Sequence, residues 1–320
     1  MPVASVGFVA VRFPRCKGSC ALVAFQWRRP VPTARLPFGN TDSRGDYMKH
    51  LLRTAALIAL GGLSACSTPG YRTLNPSCLD MAAQPKYQRD GHQDTTYIVA
   101  VLAGRSPQDA ARLSFFNQAA DDVAMPFAAP QVSVWGSFGA WGYRHRINAV
   151  LHSLHGGNTE AVAQRRLDLA GLIAGRVGAG GGADWQTGFL IHSLGDSYAH
   201  TNAVGEAYGG LYGHVFDGHW PDLVGNRQAL YFDYVDALFA ALEVDGASDR
   251  EGLAAFKASL RATPDGDVSA VRSAILAMRD DIAPAPRLEC EALADELTMR
   301  NVSRFLREVE AGFGRGRPVS

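Results

Sequence analysis

The chain has 320 residues, and its 31 Lys plus Arg are balanced by 31 Asp plus Glu, for a formal net charge of zero. That balance excludes a polyanion binder working through a bulk basic field, so nucleic acid is not expected as an obligatory partner. Hydrophobic residues make up 47% of the chain, enough for a sizeable core, and no repeat or low-complexity tract occurs beyond the glycine-rich run at 178–182.

Residues 1–47 are rich in Arg, Pro and Gly, lack a sustained apolar period, and read as a disordered leader or translated upstream sequence. The character changes at Met48. Lys49, His50 and Arg53 form a short basic region, and Ala55 to Leu63 is an apolar run, so 48–65 reads as a signal peptide; the run is too short for a permanent bilayer span. It ends in Leu63-Ser64-Ala65-Cys66, which resembles a bacterial lipobox, in which the cysteine is the lipid attachment site and the first mature residue. Ser67 rather than Asp follows it, and the resemblance to sorted lipoproteins then implies an outer-membrane anchor facing the periplasm. With Cys16 and Cys20 in the leader and Cys66 acylated, Cys78 and Cys290 remain; they either pair in an oxidising periplasm or stay as two buried thiols. Residues 66–90 read as a tether, 91–312 as one domain, and 313–320 as a disordered tail.

Within the domain the signals are helical. Ser106 is a candidate N-cap with Pro107 at the first position and Asp109 three residues on, opening a helix that runs toward Pro126. Residues 127–143, with Pro130, several glycines and two tryptophans, read as a loop or short extended piece. Helices are expected from Tyr143 to Leu154, from Thr159 to Val177, and from an Asp184 cap to about Asn202. The stretch 203–226 reads as a long ordered loop, followed by helices over Asn226–Leu242, Glu251–Arg261, Val268–Asp281 and Leu288–Glu310. Strand signals are scarce, so the fold class is all-α: a single multi-helix bundle with long ordered loops and a metal cleft.

The cleft is inferred from histidine placement. Eight of nine histidines fall between His92 and His219. His192, Asp196 and His200 recur every fourth residue, which at about 100° per residue keeps them within an arc of roughly 80° on one helix face. A second cluster follows in His214, Asp217, His219 and Asp222. No CxxC or comparable thiolate spacing occurs, so a metal would rest on nitrogen and oxygen, a donor set that suits zinc. Asp121 and Asp122 stand at a helix end, where an acid is electrostatically unfavourable without a compensating partner. His152 and His155 read as residues of a solvated helix end, and Trp135, Trp141 and Trp220 as core aromatics in preference to a substrate wall.

The order His92-Gln-Asp-Thr-Thr-Tyr, Asn117-Gln-Ala-Ala-Asp-Asp122, Tyr143-Arg-His-Arg, His192-Ser-Leu-Gly-Asp-Ser-Tyr-Ala-His200 and Tyr212-Gly-His-Val-Phe-Asp-Gly-His219 resembles the zinc-dependent phospholipase C superfamily, which includes single-strand nuclease relatives. The resemblance implies an all-helical fold holding up to three zinc ions. It implies His145, His192 and Asp196 around one zinc, Asp196 bridging to a second held by His92, and His200 with His214 and a nearby acid around a third. Either Asp122 or Asp121 would orient and deprotonate the attacking water. The chain departs from the family pattern in two places: Ser67–Gly91 precede His92, so a chain-terminal ligand is unavailable, and Gly218 stands where the family has a glutamate, leaving Asp217 or Asp222 to substitute.

Two functions are compatible with these residues. One is a lipid-anchored, monomeric zinc-dependent hydrolase of phosphate esters, phospholipid head groups among them. The other is a non-catalytic lipoprotein of the same helical fold with a structural or vestigial metal site. Neither a metalloprotease HExxH nor an adjacent His-Asp pair occurs.

Overall fold

The structure is a computed structural model that describes residues 89–122, 125–178, 182–210, 213, 220–264, 266–289, 293 and 297–314. The leader, the signal peptide, Cys66, Cys78, Cys290, His214, Asp217 and His219 lie outside the described residues. The chain divides into Met1–Thr68 and Pro69–Ser320, and every described residue belongs to the second unit.

That unit is all-α, with ten helices and no strand among the described residues. A π-helical turn, Asp90–Asp94, leads into α1 (Thr95–Leu102), followed by α2 (Pro107–Ala119), α3 (Ala129–Trp135) and α4 (Trp141–Arg146). A second π-turn, Ile147–Leu151, ends at His152; then come α5 (Thr159–Gly178), α6 (Trp185–Ala199), α7 (Gln228–Leu242), α8 (Arg250–Arg261), α9 (Val268–Ile282) and α10 (Met299–Gly312). Among the described residues no helix is long and apolar enough to cross a membrane.

Local chemistry sets many of the helix starts. Side-chain oxygens of Ser106, Asp184, Asp249, Asp267 and Thr298 accept from the backbone N–H three residues on, satisfying a donor that the first turn leaves open. The stretch 127–143, expected as a loop or short extended piece, instead holds α3 and the start of α4: Pro130 occupies the first turn of α3, where its missing N–H costs nothing. Of the last expected helix, Leu288–Glu310, the described residues are helical at Leu293 and from Met299 on, with Leu288, Glu289, Leu297 and Thr298 outside a helix; Pro284 and Pro286 follow α9, Ala283 is extended at φ −169°, and Leu288 and Leu297 are buried in the core.

Helix α6 is the axis of the bundle. It is flanked by α2, α5 and α7, and Thr187 through Ala199 are all buried. Trp185 and Phe189 stack edge-to-face, and Phe305 of α10 closes on Trp185 at 5.2 Å between centroids. Two glycines let neighbours reach this helix. A Cβ at Gly188 would lie against Phe116 Cβ of α2 well inside 3.0 Å, and one at Gly195 would meet His92 Cε1 and Tyr234 Cζ, each at 3.3 Å. The polar groups of α6 are therefore held in a dry interior, where each needs a partner.

Gly188→Ala should lower stability by about 1–3 kcal/mol through overpacking, outweighing the gain of up to about 1 kcal/mol in helix propensity. A fall in the urea midpoint at unchanged m-value checks this; an equal or higher midpoint would mean that α2 and α6 do not meet there.

Candidate metal centre

Five side chains from four segments converge on the middle of α6. His192 and Asp196 are one turn apart on the helix. His92 comes from the first π-turn, His152 from the end of the second, and Asp121 from the turn just beyond α2. Both π-turns are anchored by side chains of the helices they face. Ser114 and Asn117 of α2 donate to the carbonyls of Gln93 and His92 at 2.8 and 3.3 Å, and Ser193 of α6 donates to the Val150 carbonyl. Ser153, directly after His152, has φ +51°, a left-handed conformation unusual outside glycine; its hydroxyl donates to the Ser193 carbonyl at 2.8 Å.

The hydrogen bonds on the outer ring nitrogens decide which nitrogens face inward. His192 Nδ1 lies 3.2 Å from Asn117 Oδ1, and His152 Nε2 lies 3.0 Å from the Phe127 carbonyl; both are acceptors, so each of these nitrogens carries a proton. In the neutral rings the remaining nitrogens, His192 Nε2 and His152 Nδ1, are bare lone pairs. They lie 3.1 Å apart, and each is 3.1 Å from Asp196 Oδ2 and 3.7 Å from Asp121 Oδ1. Four acceptors so placed repel one another unless a cation sits among them. Donor atoms about 2.0–2.1 Å from a tetrahedral centre stand roughly 3.4 Å apart, within the observed spread.

The two carboxylates also serve a second side. His92 Nε2 is 3.2 Å from Asp196 Oδ1 and 3.5 Å from Asp121 Oδ2, so each acid turns one oxygen toward His152 and His192 and the other toward His92. The His92 and His192 rings lie 4.3 Å apart between centroids. Asp121 Oδ2 is buried and has no hydrogen bond among the described residues. The donor set and its spacing fit a metal ion, and buried His/Asp clusters of this kind could bind one.

Beside this cluster, His200 caps the C-terminus of α6. Its Nδ1 donates to the His152 carbonyl at 2.8 Å, and its Nε2 faces Asp222 Oδ1 at 3.3 Å. Burial pushes the His200 imidazole down, but the Asp196 and Asp222 carboxylates outweigh it and raise the ring to about 10. Burial likewise works to raise the Asp196 carboxyl, but where His192 and His200 are protonated their charge, with hydrogen bonds from His152 and His192, holds it well below the usual carboxylate range.

The structure therefore brings together His92, Asp121, His192, Asp196 and His200 of the residues singled out in the sequence, with Asp222, one of the two acids expected near His200, beside it; the other, Asp217, lies outside the described residues. His145 is not with them: on α4 it is 68% exposed and faces Glu310 at 3.6 Å. The short helix turns Tyr143 and Arg144 inward and leaves His145 outside. His152, expected at a solvated helix end, is buried and takes the inner position. A π-turn inserts an extra residue, rotating the residues after it by about 100° relative to an uninterrupted α-helix, a change that the motif order behind His145 does not reveal. Of the acid pair, Asp121 joins the cluster, whereas Asp122 is buried and its carbonyl closes a turn to the Met125 N–H at 2.8 Å. Trp141 and Trp220, expected in the core, are 58% and 54% exposed.

Asp196→Asn and His152→Ala should each lower metal content, whereas His145→Ala should leave it unchanged; elemental analysis of the purified variants reads all three. A second expectation concerns metal-stripped protein. The folded-state pKa of His200 lies above its ordinary value of 6.5, so its protonated form stabilises the fold fully below about pH 6.5, and that stability is lost as pH rises through about 10. Denaturation midpoints across this window should fall in the wild type and fall less steeply in His200→Gln. Comparison with protein-family models, curated proteins and solved structures gives no match, so the reading of the centre rests on its geometry.

Proposed function

We propose that the chain is a zinc-dependent phosphoester hydrolase, with two or three ions held by the centre around α6. The observation that carries the reading is the pair of carboxylates, Asp121 and Asp196, each splitting its oxygens between His152 with His192 on one side and His92 on the other. Two cation positions sharing carboxylates suit the in-line displacement of a phosphate ester. The resemblance to the zinc-dependent phospholipase C superfamily supports the same class, and three imidazoles with two carboxylates favour zinc over magnesium or calcium.

Bound there, zinc would supply Lewis acidity for the phosphoryl oxygens and lower the pKa of a water to about 7. The chain's own residues do the rest. His152 and His192 offer bare nitrogens fixed by the bonds on their other ring atoms. Asp196, side chain 2% exposed, stays ionised and joins the two positions. Asp121, at 16% the most exposed side chain of the five, would hold a cation through one oxygen and with the other take the proton of the attacking water and return it to the leaving alkoxide. His200 and Asp222 mark where a third ion would sit, with His214 and Asp217 as the candidates to complete it. Anchored through Cys66 to the outer membrane and facing the periplasm, the site would work beside a bilayer, on phospholipid head groups or smaller phosphate esters.

The burial of His92, His152, His192 and Asp196 favours a second reading, a structural metal site in an anchored helical protein. Hydrolysis of nitrophenyl phosphorylcholine separates the two. Turnover should vanish with chelator, return with zinc and not with magnesium, and fall about 10²–10⁴-fold in Asp121→Asn. Zinc-loaded protein that turns over no phosphomonoester, phosphodiester or phospholipid would leave the structural reading.

A further inference from the structure

Of the three histidines at the centre whose outer ring nitrogen has an identified acceptor, two are oriented by main-chain carbonyls: His152 by Phe127 and His200 by His152. His192 alone is oriented by a side chain, that of Asn117. We propose that Asn117 is a positioning residue that fixes the tautomer of His192 and, through the same amide, holds the π-turn carrying His92. The proposal deepens the metal-hydrolase reading, since it concerns how that site is kept ready to bind, but its first test does not require the chain to be a hydrolase.

The amide has one permitted orientation. Asn117 Nδ2 lies 3.3 Å from the His92 carbonyl oxygen and 2.6 Å from Thr96 Oγ1. A carbonyl only accepts, so the nitrogen must be on that side, and Oδ1 must face His192 Nδ1 at 3.2 Å. An amide oxygen also only accepts, so His192 Nδ1 carries the proton and Nε2 is left bare toward Asp196 Oδ2 and His152 Nδ1. One main-chain carbonyl thus determines, through a single side chain, which nitrogen of His192 is offered to a cation.

The packing that delivers the amide is specific. Asn117 lies in the last turn of α2, four residues before Asp121 in the turn that follows, so the residue that orients one ligand lies on the segment that delivers another. Gly188, one turn before His192, lies close against α2; a Cβ there would lie 3.2 Å from the Asn117 backbone nitrogen. Asn117 is buried, as are Thr96, His92 and His192. Without its donor the His92 carbonyl, inside a π-turn, would lose a partner in a dry setting, and without its acceptor His192 would be free to carry its proton on Nε2, where it opposes a cation.

The test uses the full chain with nitrogen-15-labelled histidine, metal-free and at a pH where imidazole is neutral. Long-range proton–nitrogen correlations assign the tautomer of His192, and zinc affinity is read by competition with a chromophoric chelator. In the wild type His192 should carry its proton on Nδ1. Asn117→Leu, similar in size but unable to accept, should shift the ring toward the Nε2–H form and weaken zinc binding by about 10–100-fold. Asn117→Asp keeps the acceptor and should restore the Nδ1–H form while recovering only part of the affinity, because it no longer donates to the His92 carbonyl; this variant also serves should Asn117→Leu fail to fold. A residue that merely packs would leave the tautomer unmoved in both. Persistence of the Nδ1–H form in Asn117→Leu, or a wild-type His192 that is doubly protonated or carries its proton on Nε2, overturns the proposal. A wild type with the expected tautomer that binds no zinc would instead sink the hydrolase reading and leave the tautomer assignment standing.

Discussion

Two imidazole nitrogens face each other across 3.1 Å in the middle of a helix buried on every side, with the Asp196 carboxylate equally close to both. Each ring has its other nitrogen committed to an acceptor, so neither holds a proton to offer inward while neutral. In a low-dielectric interior this concentration of lone pairs is unfavourable by itself. A cation converts the same atoms from mutual repulsion into coordination, and its binding free energy then adds to the stability of the fold. The rest of the bundle can be understood as the scaffold that places those atoms.

Two devices do the placing. Small residues on α6 let other elements come close: Gly188 admits α2 and Gly195 admits the His92 ring. The π-turns change which residue points inward, and π-turns are often found at functional sites because they re-aim one side chain without breaking the helix. Their widened turns leave main-chain oxygens for outside donors, and Ser114, Asn117 and Ser193 supply those donors. The left-handed Ser153 completes the second turn, letting the His152 ring enter the cluster while its carbonyl meets His200. A centre assembled from four separate segments is thereby held, among the described residues, without a strand.

Legibility in the sequence followed the range of the interaction. The Asp184 and Ser106 caps, the span of α5 and the His192–Asp196 spacing are local and were readable within a few residues. His92 came from motif order, as did the pairing of Asp121 or Asp122 with the site; the choice between the acids needed the geometry of the turn after α2. His145 came from the resemblance alone, and His152 was read at a solvated helix end because nothing in Ile147–Leu151 announces the wider turn that carries it into the cluster. The tryptophans were misjudged for a related reason: hydrophobicity favours burial, but Trp141 and Trp220 sit on short turns whose inner faces are taken by Tyr143 and by Pro221 and Asp222.

The sequence by itself determined an all-helical chain whose central helix carries an imidazole and a carboxylate one turn apart, because helix period and capping are encoded over distances of three or four residues. Only the tertiary structure decided which other histidines and which acid meet that pair, and which nitrogen each ring presents. Those outcomes depend on close approach between helices and on hydrogen bonds between residues 25 to 75 positions apart, a range over which no local pattern constrains the partner.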